Sequence, residues 1–183
     1  MKTTPPEHIR DLIGRIARLN AADEWADDLN PTQGAALSYL ARANRFSRSP
    51  SQVAEFLATT RGTVSQTLKA LERKGLIRKI RSEADRRSIS YAVTAEGLST
   101  LKRSTVIDEV LDSLPAASQK TLANGLQSLV RTALKTRGMR PFGQCKNCTY
   151  HQKKGAGGYC TLLNELLKPE ETLQICHEQL EKS

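Results

Sequence analysis

Apolar residues recur at helical spacing through most of this chain. Ile9, Leu12, Ile13, Ile16 and Leu19 predict a first helix over 5–28, opened by Pro5-Pro6. Asn30 is placed to cap a second helix, with Pro31 at its first position and Gln33 at its third. That helix turns Ala36, Leu37, Leu40 and Ala41 to one side and ends near Asn44. Ser49-Pro50-Ser51-Gln52 is a capping box. It opens a short helix with Val53, Ala54 and Leu57 inward. Thr59 or Thr60 caps the next, which carries Val64, Leu68 and Leu71 as one stripe, runs to Lys74 and stops at Gly75. Two short helices joined tightly, the second ended by glycine, form a helix-turn-helix pattern.

The period then changes. Leu76–Ile80 reads as a strand, 81–87 as a charged turn, and Ser88–Val93 alternates polar and apolar like a returning strand. A basic hairpin after a helix-turn-helix is a wing. Thr94 caps a long helix to about Leu114, with Leu98, Leu101, Val106, Ile107, Val110 and Leu111 on its apolar face. Pro115 restarts a helix to about Thr136, with Leu122, Leu126, Leu129, Val130 and Leu134. Residues 138–144 read as a linker. The remainder holds the cysteines, a Gly155–Gly158 loop and a short amphipathic segment over 162–167.

With 183 residues, one Trp and 38% hydrophobic content, the chain suits one aliphatic core plus an appendage. The start, MKTTPPEHIRDL, lacks a signal-peptide stretch, and no apolar run is long enough for a membrane span. A cytoplasmic protein without membrane contact is therefore expected, in a compartment that keeps thiols reduced. The net charge is +9. Residues 61–93 hold nine Lys and Arg against three acidic residues, whereas 1–60 and 141–183 are each balanced. The excess thus collects on the helix-turn-helix and wing, which points to a polyanion.

A helix fits the B-DNA major groove, with base contacts near its N-terminus. With Val64, Leu68 and Leu71 inward, Arg61, Thr63, Ser65, Gln66 and Lys69 face outward, beside the capping Thr60. Gln pairs bidentately with adenine and Arg with guanine, while Thr and Ser hold phosphates or touch thymine methyls. At the wing, an arginine among Arg86 and Arg87 suits a narrow minor groove, with Asp85 close enough to orient it.

Thr63-Val64-Ser65, Leu71-Glu72-Arg73-Lys74-Gly75-Leu76-Ile77, Asp85-Arg86-Arg87 and Val93-Thr94-Ala95-Glu96-Gly97 resemble, in order and spacing, the MarR family of winged helix-turn-helix regulators over about 49–97. The resemblance implies a mainly α fold with a two-stranded β wing. It also implies long N- and C-terminal helices that form a homodimer reading a palindrome in double-stranded DNA. Asp85 would position Arg87 in the minor groove, and Arg86 would touch backbone. It further implies a sensor, by a small-molecule effector in some members and by an N-terminal peroxide-reactive cysteine in others. This chain has no thiol before Cys145, which excludes the latter.

The four cysteines, Cys145, Cys148, Cys160 and Cys176, are spaced C-x2-C-x11-C-x15-C and crowd the last 39 residues. In a reducing compartment such a cluster favours a metal centre over disulfides. One C-x2-C knuckle with two lone, widely spaced partners suits an iron–sulfur cluster better than a zinc ribbon. [4Fe–4S] is preferred here over [2Fe–2S], with zinc as the alternative. The Gly155–Gly158 loop offers N–H groups for cluster sulfurs, or serves as a plain connector. His151 and His177 are possible substitute ligands but read better as surface histidines, with His177 beside Cys176 on one helix.

The expected organisation is a MarR-like unit over 1–137, a linker over 138–144, and a cysteine-rich tail over 145–183. The expected function is a dimeric transcriptional regulator, a repressor by preference, gated by the cluster. Because the tail follows the helix over 115–136, it is expected to act through the dimer interface. The alternatives are a small-molecule-responsive regulator with a structural zinc tail, an adaptor recruiting a partner through the tail, and an iron–sulfur enzyme. The chain carries no nucleotide loop, nucleophile constellation or paired acid/base carboxylates, so an enzyme is not expected.

Overall fold

The computed structural model describes residues 4–25, 29–81, 89–102 and 105–182. Helix α1 (Pro5–Trp25) is followed by α2 (Pro31–Arg42), α3 (Pro50–Phe56) and α4 (Arg61–Arg73). The expected caps form. Asn30 and Ser49 each accept the backbone N–H three residues on, and Gln33 and Gln52 reach back to close both capping boxes. Gly75 ends α4 at φ +70°, a conformation that costs a side-chain-bearing residue more. Strands β1 (Ile77–Arg81) and β2 (Ile89–Val93) pair antiparallel from Ile77↔Val93 to Arg81↔Ile89. The wing tip, with Asp85, Arg86 and Arg87, lies outside the described residues.

The expected long helix after Thr94 is two helices, α5 (Ala95–Thr100) and α6 (Val106–Ser113). A third capping box explains the break. Thr105 accepts from Asp108 N–H, and the Asp108 carboxylate accepts from Thr105 N–H at 2.9 Å. Ser, Thr and Asp offer the backbone such alternatives to helix. Helix α7 (Ala116–Thr136) matches its prediction.

One core joins α2, α3, α4 and the wing base. Leu37, Tyr39, Leu40, Val53, Val64, Leu68, Leu71 and Ile77 are its most enclosed members. It is less aliphatic than the composition suggests. Tyr39 stacks on Phe56 at 4.3 Å between centroids, and Phe142 meets both rings edge-on. Phe142, in the stretch expected as a linker, packs against the core.

The C-terminal region is a small set of strands. β3 (Gly143–Gln144) pairs with β7 (Ile175–Cys176), so the end of the predicted linker is paired strand. β4 (His151–Lys154), β5 (Gly157–Cys160) and β6 (Glu165–Leu167) form an antiparallel sheet. The glycine-rich loop is the β4–β5 turn and the start of β5, and the amphipathic segment over 162–167 ends in strand β6. Cys176 sits on β7, so Cys176 and His177 do not share a helix.

Candidate functional site

Helix α4 presents two faces. Val64, Thr67, Leu68 and Leu71 are buried, while Arg61, Thr63, Ser65, Gln66 and Lys69 are exposed. Thr60, itself exposed, accepts Thr63 N–H at 3.1 Å and lies 2.9 Å hydroxyl to hydroxyl from Thr63. The first turn is therefore held by its own cap while its outer residues stay open to a ligand. Arg78, Lys79 and Arg81 on β1 are also exposed and extend the basic surface toward the wing. The period-two pattern of the first wing strand carries the signal for these outward basic positions.

All four cysteines are thiols, and together they line one cavity, with Cys145, Cys148 and Cys176 buried. Chain folding thus gathers side chains separated by up to 31 residues. Among the described residues, no group of three or more His, Cys, Asp or Glu is arranged to hold a metal ion. Cys145, Cys148 and Cys176 accept or share hydrogen bonds through their sulfurs. Asn44 Nδ2 donates to Cys145 Sγ at 3.2 Å, and Leu180 N–H donates to Cys148 Sγ at 3.4 Å. The Cys145 thiol bonds Cys176, which pushes the Cys176 thiol down to about 6 and the Cys145 thiol up. Burial opposes the first shift and adds to the second. Asn44, the Glu178 backbone N–H and Ser47 lower Cys176 further.

The cavity is seated on the segment between α2 and α3. Asn44 N–H donates to Ile175 O at 2.9 Å, and Asn44 Oδ1 accepts from Phe46 N–H at 3.1 Å. Ser47 Oγ accepts from His177 N–H at 2.9 Å, while Ser47 O accepts the buried Tyr39 hydroxyl at 2.6 Å. Arg45 holds both Glu171 oxygens, at 2.5 and 2.7 Å, and donates to Leu166 O at 2.9 Å. The same segment meets the reader. Gln52 Nε2 donates to Phe46 O at 3.0 Å, and Tyr91 N–H of β2 donates to Arg48 O at 3.1 Å. Residues 43–49 therefore touch the cysteine region, the cap of α3 and the wing base. The tail reaches α7 through the exposed Arg131–Glu181 pair at 2.9 Å, a contact that contributes little. Among the described residues, the short segment ahead of α3 thus links the cysteine region to the reader directly, beside the expected route through the dimer helices.

The two histidines differ. His177 is tied on both ring nitrogens, to Glu178 at 3.1 Å and Glu55 at 2.9 Å, and is no ligand in this arrangement. His151 lines the cysteine cavity, contrary to its reading as a surface residue. Burial, and then Lys182, lower its pKa from the ordinary imidazole value.

Elsewhere, α1, α6 and α7 keep their apolar stripes exposed, among them Ile16, Val106, Leu126 and Val130. An open groove between α2 and α5 has Ala41, Ala95 and Leu98 on its walls and Arg42 and Lys102 at its edge. No described helix is long and apolar enough to cross a membrane.

The model for the MarR family matches residues 27–88. Solved structures share the fold. The Staphylococcus aureus MepR–DNA complex is 21% identical over 72% of this chain and 99% of its own, with a TM-score of 0.56. Streptococcus pneumoniae FabT in complex with DNA is 22% identical over 72% and 96%, also at 0.56. The transcriptional repressor CouR bound to a 23-mer DNA duplex is 25% identical over 69% and 92%, at 0.57. No curated protein gives a significant match. The matched segment and these structures show a winged helix-turn-helix fold of the MarR type.

Proposed function

We propose that this chain is a cytoplasmic transcriptional regulator that reads a palindromic operator as a homodimer, gated by an iron–sulfur cluster on Cys145, Cys148, Cys160 and Cys176. DNA reading rests on the exposed face of α4 and on the family match over 27–88. The relatives named above were solved on DNA, and the basic excess over 61–93 supplies the matching charge. Thr60, Thr63 and Ser65 would hold phosphates or thymine methyls. Arg61 and Gln66 would read base edges, with Lys69 on the backbone. Arg86 and Arg87, oriented by Asp85, would serve the minor groove.

One observation carries the gating: residues 43–49 bond the cysteine cavity on one side and α3 and β2 on the other. The donor set suits a thiolate-bound cluster. Four thiols line one cavity, and N–H groups of Asn44 and Leu180 already point at sulfur, as they do where sulfur carries negative charge. When bound, the cluster would supply a redox- or oxygen-sensitive charge. Asn44 and Ser47 would register its presence through their bonds to Cys145 and Cys176, and so set the position of α3 against the wing. The wide ligand spacing favours a cluster over zinc, and [4Fe–4S] is the preferred type.

A second reading has its own observation. The groove between α2 and α5, apolar with Arg42 and Lys102 at its edge, suits a small apolar anion, with zinc then structural on the cysteines. Anaerobic purification separates the two. The cluster reading predicts brown protein with iron and sulfide that selects two-fold symmetric sites from random duplexes. Colourless protein with one zinc per chain would favour the second reading. Equal binding to every duplex would remove the regulator reading altogether.

A further inference from the structure

We propose that His151 is a fifth donor of the cysteine site, its Nε2–H bonding a sulfur of the bound cluster. The inference rests on the cluster reading above and deepens it. Among the described residues, His151 Nε2 is the one buried side-chain nitrogen or oxygen without a hydrogen-bond partner. Buried polar atoms are almost always paired, so an orphan asks for an explanation. The ring lines the cavity that the four cysteines share. A sulfur of that cavity is the acceptor its N–H would take.

The position is built rather than incidental. His151 stands directly opposite Cys160 in the β4–β5 register. Gly158, two residues before Cys160 on the same strand, is buried, and a Cβ there would overlap His151 Nε2 and Cδ2. Glycine is what leaves room for the ring. A neutral imidazole has one N–H and one bare nitrogen. Four cysteines complete the ligand set of a cubane cluster, so a ring nitrogen in this cavity would act as donor and not as ligand. His177 cannot take this part, because Glu55 and Glu178 occupy its ring nitrogens. Hydrogen bonds to cluster sulfur favour the more negative, reduced state and so raise the reduction potential.

The test uses the full chain reconstituted anaerobically with ferrous iron and sulfide, as wild type, His151→Phe and His151→Gln. Phe keeps a ring but has no N–H; Gln restores an N–H. Iron and sulfide per chain are measured, and the midpoint potential is found by spectroelectrochemical titration. Equal loading is expected in all three. The potential should shift to more negative values in His151→Phe and return toward wild type in His151→Gln. Loaded wild type and loaded His151→Phe with the same potential would overturn the donor and leave the cluster reading intact. A folded His151→Phe that takes up no iron while wild type loads would make the nitrogen a ligand, which also overturns it. Wild type that binds neither iron nor sulfide would overturn both readings together.

Discussion

At the residue scale, the first turns of α4 combine cap and contact. Thr60 accepts Thr63 N–H yet stays exposed, and Arg61 and Gln66 project outward from the first two turns. Gln66→Ala or Arg61→Ala is expected to lower discrimination between operator and random DNA by about 1–3 kcal/mol each. Parallel titrations at fixed salt check this, and wild-type discrimination in both variants would displace the reading face. These residues were legible because a 3.6-residue period names its outward positions once the inward ones are known. Asn44 was not legible. Its partner, Cys145, lies 101 residues on, and no local pattern encodes such a contact. Aromatic content misled for the same reason: Tyr39, Phe56 and Phe142 meet only after folding.

At the scale of elements, the segment from 43 to 49 joins three parts of the fold, and its side chains divide the work. Arg45 fastens the tail by holding Glu171, which is only 9% exposed. Removing the guanidinium leaves that carboxylate facing fewer donors, though Lys168 N–H still reaches it at 2.8 Å. Arg45→Ala should therefore destabilise the tail by about 1–3 kcal/mol. Urea unfolding of Arg45→Ala, Glu171→Ala and the double variant measures this, with coupling expected between the two sites. Asn44→Ala, by contrast, should shrink the difference in operator affinity between loaded and stripped protein, because it cuts the N–H bond to Cys145 Sγ. An unchanged difference would move the coupling elsewhere. Helix caps at Asn30, Ser49 and Thr94 were readable because capping is local. The break at Thr105 escaped because apolar residues continue at helical spacing across it. The β3–β7 pairing escaped because two-residue strands carry no period of their own.

At the scale of the whole molecule, α1, α6 and α7 present apolar stripes that one chain leaves exposed, including Leu12, Leu19, Val110, Leu122 and Leu129. Such a surface is expected to bury against a second copy in an isologous dimer. Sedimentation should find a dimer at micromolar concentration. A stable monomer there would remove the palindrome. The central claim is that the cysteine site controls the DNA reader, and operator titration at one salt concentration tests it most directly. It compares anaerobically loaded protein, protein stripped of its metal, and Cys160→Ser. The account predicts that the last two differ from the first by about 5- to 150-fold, the span of common allosteric couplings of about 1–3 kcal/mol. Equal affinities in all three, with iron and sulfide present only in the first, would contradict it.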